Sequence, residues 1–356
     1  MRRTDELSMA HVLNVCLLLL LVAGAGATAK DDPARFFLAS SFNFTSADFD
    51  RIHRGQVVSR TLPVNDPREV GTLGVVRMKV TPEFYVERLA DIAQFKRDDA
   101  VLQIGVFHNP PTLQDVGALT LDDADIRSLQ ACRIGDCGLQ LSADAINRFH
   151  QELDWGRADA QQHANSLMRQ ILVDYVTEYQ KAGATASMQY ADQPTPLNLG
   201  REFVSLADSE QGVWLQFPTL KRHLFEYPSA GPGTTDLVYW SKERVGRRTV
   251  ASVTHLAISR TADDSPTDYA IASKHIYGSH YFDASLGLTV LLRDRSASSA
   301  ATYVAYVNRS RVDAFDGMFG GLTRKFVTSR ARSTVSENLA KLQLKLESEF
   351  ATALPE

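Results

Sequence analysis

Residues 302–312 read TYVAYVNRSRV, and residues 321–350 read GLTRKFVTSRARSTVSENLAKLQLKLESEF. The first stretch is rich in β-branched and aromatic residues, the composition of a strand. The second is one long helix whose buried face is marked by Leu322, Phe326, Val335, Leu339, Leu342 and Leu346. Upstream, residues 236–244, 249–260, 268–277 and 286–293 alternate or are β-rich, and turn clusters such as TADDSPTD and DRSASSA separate them. Close sequential spacing predicts an antiparallel meander. The last third of the chain is therefore expected to be sheet running into a single helix.

Nearer the start, SADFDRIHR (46–54) reads as a short helix from a Ser N-cap to Gly55. QVVSRTL (56–62), TLGVVRMKV (72–80) and AVLQIGVF (100–107) read as strands, with a helix over EFYVERLADIAQF (83–95) after Pro82. The pattern changes at Asn109-Pro110-Pro111. Residues 112–212 carry almost no strand signal. Ser142 caps ADAINRFHQEL. A long helix over about 157–182 places Ala160, Ala164, Leu167, Ile171, Tyr175 and Tyr179 on one stripe and stops at Gly183. A further short helix falls near 217–226. The expected division is 30–111 and 236–356 as two parts of one domain, with 112–235 as an inserted helical subdomain.

This order resembles the START-like, or polyketide-cyclase, helix-grip superfamily. The resemblance rests on VVRMKVTPEFYVERLADIAQF (75–95) and on the strand TYVAYVNRSRV running into the terminal helix. It implies an α+β fold in which a curved antiparallel sheet grips the long C-terminal helix around an apolar cavity. It implies an apolar small molecule or lipid as partner. It carries over no catalytic residue, and the helical insertion departs from the family's pattern.

At the N-terminus, Arg2 and Arg3 precede an apolar run from Val15 to Ala23, followed by AGAGATAK. Ala27-Thr28-Ala29 fits the small-x-small rule, which predicts a signal peptide over 1–29 and a periplasmic or secreted chain. The run is shorter than the ~20 residues a membrane span needs. An exported chain meets an oxidising compartment. Cys132 and Cys137, in ACRIGDCG, are accordingly expected to form a structural disulfide; a zinc site would need two further ligands.

The 356 residues are 44% hydrophobic and 22% charged, an ordinary globular balance, and the net charge of −4 argues against binding nucleic acid through phosphate contacts. There is no His-Glu-x-x-His, Gly-x-Ser-x-Gly, Walker loop or calcium loop. No cofactor and no metal are expected.

Chemistry concentrates in YAIASKHIYGSHYFDASLGL (269–288). Strand residues five apart face opposite sides, so His275, His280 and Asp283 could share a metal only if the chain bent at Gly278. The plain alternative ends the strand at Gly278 and leaves His280 exposed in a turn. The third reading has His275 and Tyr277 lining a cavity on the face of Ile271 and Ser273. Trp240, His255 and Tyr306 on neighbouring strands complete that candidate ligand-binding set, since a pocket needs a few polar groups in an apolar wall. The expected function is an exported protein holding an apolar or lipid-like ligand. An enzyme of cyclase or hydrolase type, with His255 or His275 as general base, is the second reading. A structural or interaction protein acting through the insertion is the third. Arg324, Lys325, Arg330 and Arg332 form a basic cluster suited to peripheral contact with anionic lipid headgroups.

Overall fold

The computed structural model describes residues 32–209, 211–229, 233–246, 248–262, 265–312 and 320–353. The leader expected over 1–29 lies outside them. The fold is α+β, as expected. Eight strands form one curved, open antiparallel sheet: β1 (Val58–Thr61), β2 (Glu69–Met78), β3 (Val101–Phe107), β6 (Thr234–Val245), β7 (Arg248–Arg260), β8 (Tyr269–Gly278), β9 (Phe282–Arg293) and β10 (Thr302–Val312). Their order is β1-β2-β10-β9-β8-β7-β6-β3. The meander from β6 to β10 pairs in sequence, as its short turns dictate. The two long-range joins are β10 on β2 and β3 on β6.

Both faces of this sheet are covered. One face, called inner here, meets α3 (Pro82–Ala90), α4 (Ile92–Phe95) and the terminal helix α11 (Gly320–Ala353). Thr81 caps α3 by accepting from the Phe84 amide, and Pro82 starts it, so the short strand-to-helix turn aims Phe84, Tyr85 and Leu89 at the sheet. Val335, Leu339 and Leu346 seat α11 over β1 and β2. Gly74 makes this approach possible, because a Cβ there would lie 2.5 Å from Leu339 Cδ1 and 2.7 Å from Val335 Cγ1. Phe326 departs from the expected stripe and is 73% exposed.

The outer face carries the remaining helices. α1 (Pro33–Phe42), α2 (Ser46–His53), α8 (Leu199–Asp208), α9 (Gln211–Trp214) and α10 (Pro218–Glu226) pack on β2, β8, β9 and β10. α5 (Asp123–Ala131), α6 (Ala143–Gln151) and α7 (Ala160–Ala182) pack on β3, β6, β7 and the end of β8, beside the two-stranded ribbon of β4 (Gln189–Tyr190) and β5 (Leu197–Asn198). The α7 stripe buries Ala160, Ala164, Leu167, Ile171 and Tyr179, the positions its helical period selects.

Cys132, at the end of α5, is bonded to Cys137. Titration of thiols under denaturing, non-reducing conditions should find neither cysteine free. Closing so short a loop restricts the unfolded chain, so reduction should lower folding stability by about 2 kcal/mol. Urea melts with and without reductant measure that loss, and superimposable curves would remove the staple role.

Candidate functional site

Alternation along the strands turns Ser241 and Glu243 of β6, Ser252 of β7, Ser273 and His275 of β8, Ser285 and Gly287 of β9, and Tyr306, Asn308 and Ser310 of β10 to the inner face. Register aligns them. Ser241 faces Ser252, and Ser285 faces Ser310. Ser273, Gly287, Asn308 and Thr72 form one row across β8, β9, β10 and β2. Small side chains in a row leave space above the sheet. α11 makes its main sheet contacts with β1 and β2. Toward the other end Ile104, Val106, Leu237 and Tyr269 stay only partly buried, and so do Val86 and Phe95 from the overlying helices.

Polar groups converge at the middle of this face. Lys96, the C-cap of α4, donates from Nζ to Glu243 Oε1 at 2.6 Å, and Ser241 Oγ donates to the same oxygen at 2.6 Å. The Lys96 and Glu243 side chains keep 27% and 28% of their surface exposed. Burial alone would lower the Lys96 pKa, but Tyr239 and Glu243 outweigh it and hold the ammonium above its ordinary range. The ammonium in turn keeps Glu243 below the usual carboxylate range against the upward push of burial. Along β10, Asn308 donates to Tyr306 OH at 3.4 Å, and Ser310 Oγ donates to Asn308 Oδ1 at 3.0 Å.

His275 is different. Both ring nitrogens are buried and have no hydrogen-bond partner. Phe282 meets the ring edge-on at 5.7 Å, and a Cβ at Gly278 would lie 2.5 Å from His275 Cε1, so glycine there makes room for the imidazole. Burial pushes its pKa down to about 4; the Lys96 charge adds to this and Glu243 opposes it. The ring is neutral at pH 7, with one donor and one acceptor unused.

The five residues picked from sequence fall on two faces. His275 and Tyr306 are on the inner one. Trp240, His255 and Tyr277 are on the outer one and belong to the packing beneath the helices. For Tyr277 the cause is a bulge. The register steps from Thr254↔His275 to Val253↔Tyr277, leaving Ile276 as an extra residue. The alternation that would have kept Tyr277 beside His275 is broken, and its ring packs on Tyr190. Trp240 donates its indole N–H to the Asp115 carbonyl at 2.7 Å.

His255 sits in a separate polar cluster with Asp236 of β6, His223 of α10 and Tyr179 of α7. His275, His280 and Asp283 do not meet. His280 is buried against Asp125 Oδ1 at 2.9 Å, not exposed in a turn, and Asp283 faces Gln140 and Arg68. Arg324, Lys325 and Arg332 line an open groove of about 620 Å³ with Leu62, Val64 and Val70. Arg330 points elsewhere, toward Glu337 at 4.0 Å.

No protein-family model matches the chain, and no curated protein matches it.

Proposed function

We propose that this is an exported small-molecule-binding protein of the helix-grip kind, holding a lipid-like, amphiphilic ligand on the inner face of its sheet. His275 carries the reading. A buried imidazole with two unused nitrogens costs about 1–3 kcal/mol unless something satisfies it. A ligand hydroxyl or carbonyl beside the Lys96–Glu243 pair would do so, while its apolar body covers Ile104, Val106 and Leu237. A pKa near 4 makes His275 a weak base at neutral pH, which favours orienting a ligand over general-base catalysis. A cleaved leader and an oxidising destination accord with the Cys132–Cys137 bond. The basic groove beside α11 suits an anionic membrane surface from which such a ligand could be taken.

Native mass spectrometry of the purified protein should reveal one bound apolar molecule that organic solvent releases. The amphiphilic dye 1-anilinonaphthalene-8-sulfonate should compete for the same place. Ser273→Leu adds bulk between Gly287 and Tyr306. It should weaken dye binding about tenfold or more, equivalent to about 1.4 kcal/mol, while the folded circular-dichroism spectrum is kept. A protein that carries nothing and binds no dye would overturn the proposal, as would a Ser273→Leu variant that binds like the parent.

A further inference from the structure

On the opposite face of the sheet, three side chains from three elements meet at one point. His223 Nε2 lies 2.7 Å from Asp236 Oδ1, and His255 Nε2 lies 2.7 Å from the same oxygen. The three donor atoms all fall within 4.8 Å of one another. Asp236 opens β6, and His255 reaches it diagonally across the β6–β7 hairpin, where Val238 pairs with His255 and Ala257 with Asp236. α10 brings His223 over the pair.

We propose that His223, Asp236 and His255 form a binding site for a divalent transition-metal ion of the zinc or iron(II) class. Two neutral imidazoles and one carboxylate are the donor set such ions take, and three protein ligands leave positions for water or substrate. Donors around a tetrahedral ion with bonds of about 2.1 Å are spaced roughly 3.4 Å, so each contact to Asp236 must open by about 0.7 Å. Both contacts involve the one carboxylate oxygen, so movement of Asp236 alone opens both. Asp236 is also the member that can move. Its side chain is 27% exposed, whereas both histidine side chains are fully buried. The same exposure gives an ion its way in.

The surroundings support the site as outer ligands do. Tyr179 OH lies 2.9 Å from His255 Nδ1 and fixes the plane of that imidazole. With the His255 proton on Nε2, Tyr179 donates. When a metal takes Nε2, the proton moves to Nδ1 and the tyrosine oxygen accepts, so no proton leaves His255. The Tyr227 ring stands 4.4 Å from His255 and 5.9 Å from His223, which gives the site an apolar wall. Lys274, paired across from His255, is the neighbouring cation. Its Nζ sits over the rings of Phe203 and Tyr179 at 4.7 and 5.6 Å, turned to aromatic faces.

The test uses zinc itself. Protein stripped with chelator and dialysed should take up one equivalent of zinc in competition with a chromophoric chelator, and zinc should raise its melting temperature. His223→Gln, His255→Gln and Asp236→Asn should each weaken zinc by more than about a hundredfold, beyond what loss of a supporting residue costs. Tyr179→Phe, which leaves the ligands in place, should weaken it about tenfold. Each variant is first compared with the parent in chelator, by circular dichroism. If a histidine variant does not fold, the parent's own zinc-dependent melting decides. No saturable shift in the parent, or undiminished zinc uptake in folded His223→Gln, would overturn the site.

Discussion

Glu69→Ala is expected to lower folding stability by about 3 kcal/mol, the cost of breaking a buried ion pair from one side. Glu69 begins β2 and is buried, and it accepts from the Arg309 guanidinium of β10, itself buried. Its second oxygen accepts from Ser209 Oγ at 3.3 Å, just past α8. Arg309 also donates to the Pro63 carbonyl at 3.1 Å, so the pair ties the β1–β2 connection, β10 and the outer helices together. Removing the carboxylate takes from the buried guanidinium its Glu69 partner while leaving its other contacts in place. Replacing both partners, as in Glu69→Leu with Arg309→Met, should recover most of the loss, because two apolar groups owe no desolvation cost. Urea unfolding gives both values. A loss under about 1 kcal/mol for Glu69→Ala would mean that the pair is hydrated after all.

The second large effect concerns acid. His275 has a folded pKa of about 4, whereas an imidazole in an unfolded chain titrates near about 6.5. The folded value is the lower one, so between these limits the unfolded chain binds the extra proton. Stability from this residue is fully present above about pH 6.5 and is lost as pH falls toward 4. The loss reaches about 3 kcal/mol at pH 4. In His275→Gln the ring is gone and this loss should vanish. The carboxylates and His255 titrate in both proteins, so the difference between the two stability curves isolates His275. Parallel curves from pH 7 to pH 4 would show that the imidazole is already solvated.

Much of the fold could be read from local patterns. The β6–β10 meander follows from alternation and turn clusters, and α7 from a stripe that Gly183 ends. Other parts were not legible because their causes are not local. Nothing in GTLGVVRM announces that it pairs with β10 more than two hundred residues later. The helix α1 has its Asp32 cap and Pro33 start, but a cap and a proline alone are a slight signal for a helix. α5 is short and lacks a side-chain cap bond, whereas α8 has an Asn198 cap and Leu199, Phe203, Leu206 and Ala207 at helical spacing, a signal present in the sequence.

The sites show the same limit. Strand period sets His275 on the face of Ile271 and Ser273, and Tyr306 on that of Asn308, but it does not say which face of either strand points inward. Tyr277 was misplaced by one inserted residue, Ile276, since a bulge leaves no mark in a period-two pattern. The His223–Asp236–His255 cluster has no motif spacing at all. Its members stand 13 and 19 positions apart on a helix and two strands. Only the hairpin register, which sets Asp236 and His255 on one face as diagonal neighbours, could have joined two of them in advance.

The sheet order has a consequence for how the chain is made. β2 is synthesised early, yet its inner neighbour is β10, and α11 then closes over β1 and β2. At about 5–20 residues per second, β2 waits roughly 10–50 s for that partner to leave the ribosome. Until then its edge is open and the Glu69 carboxylate has no arginine. The nascent protein therefore cannot complete its sheet until β10 has been made. A sheet that stays unfinished until β10 emerges leaves an open edge that chaperones must shield in the meantime.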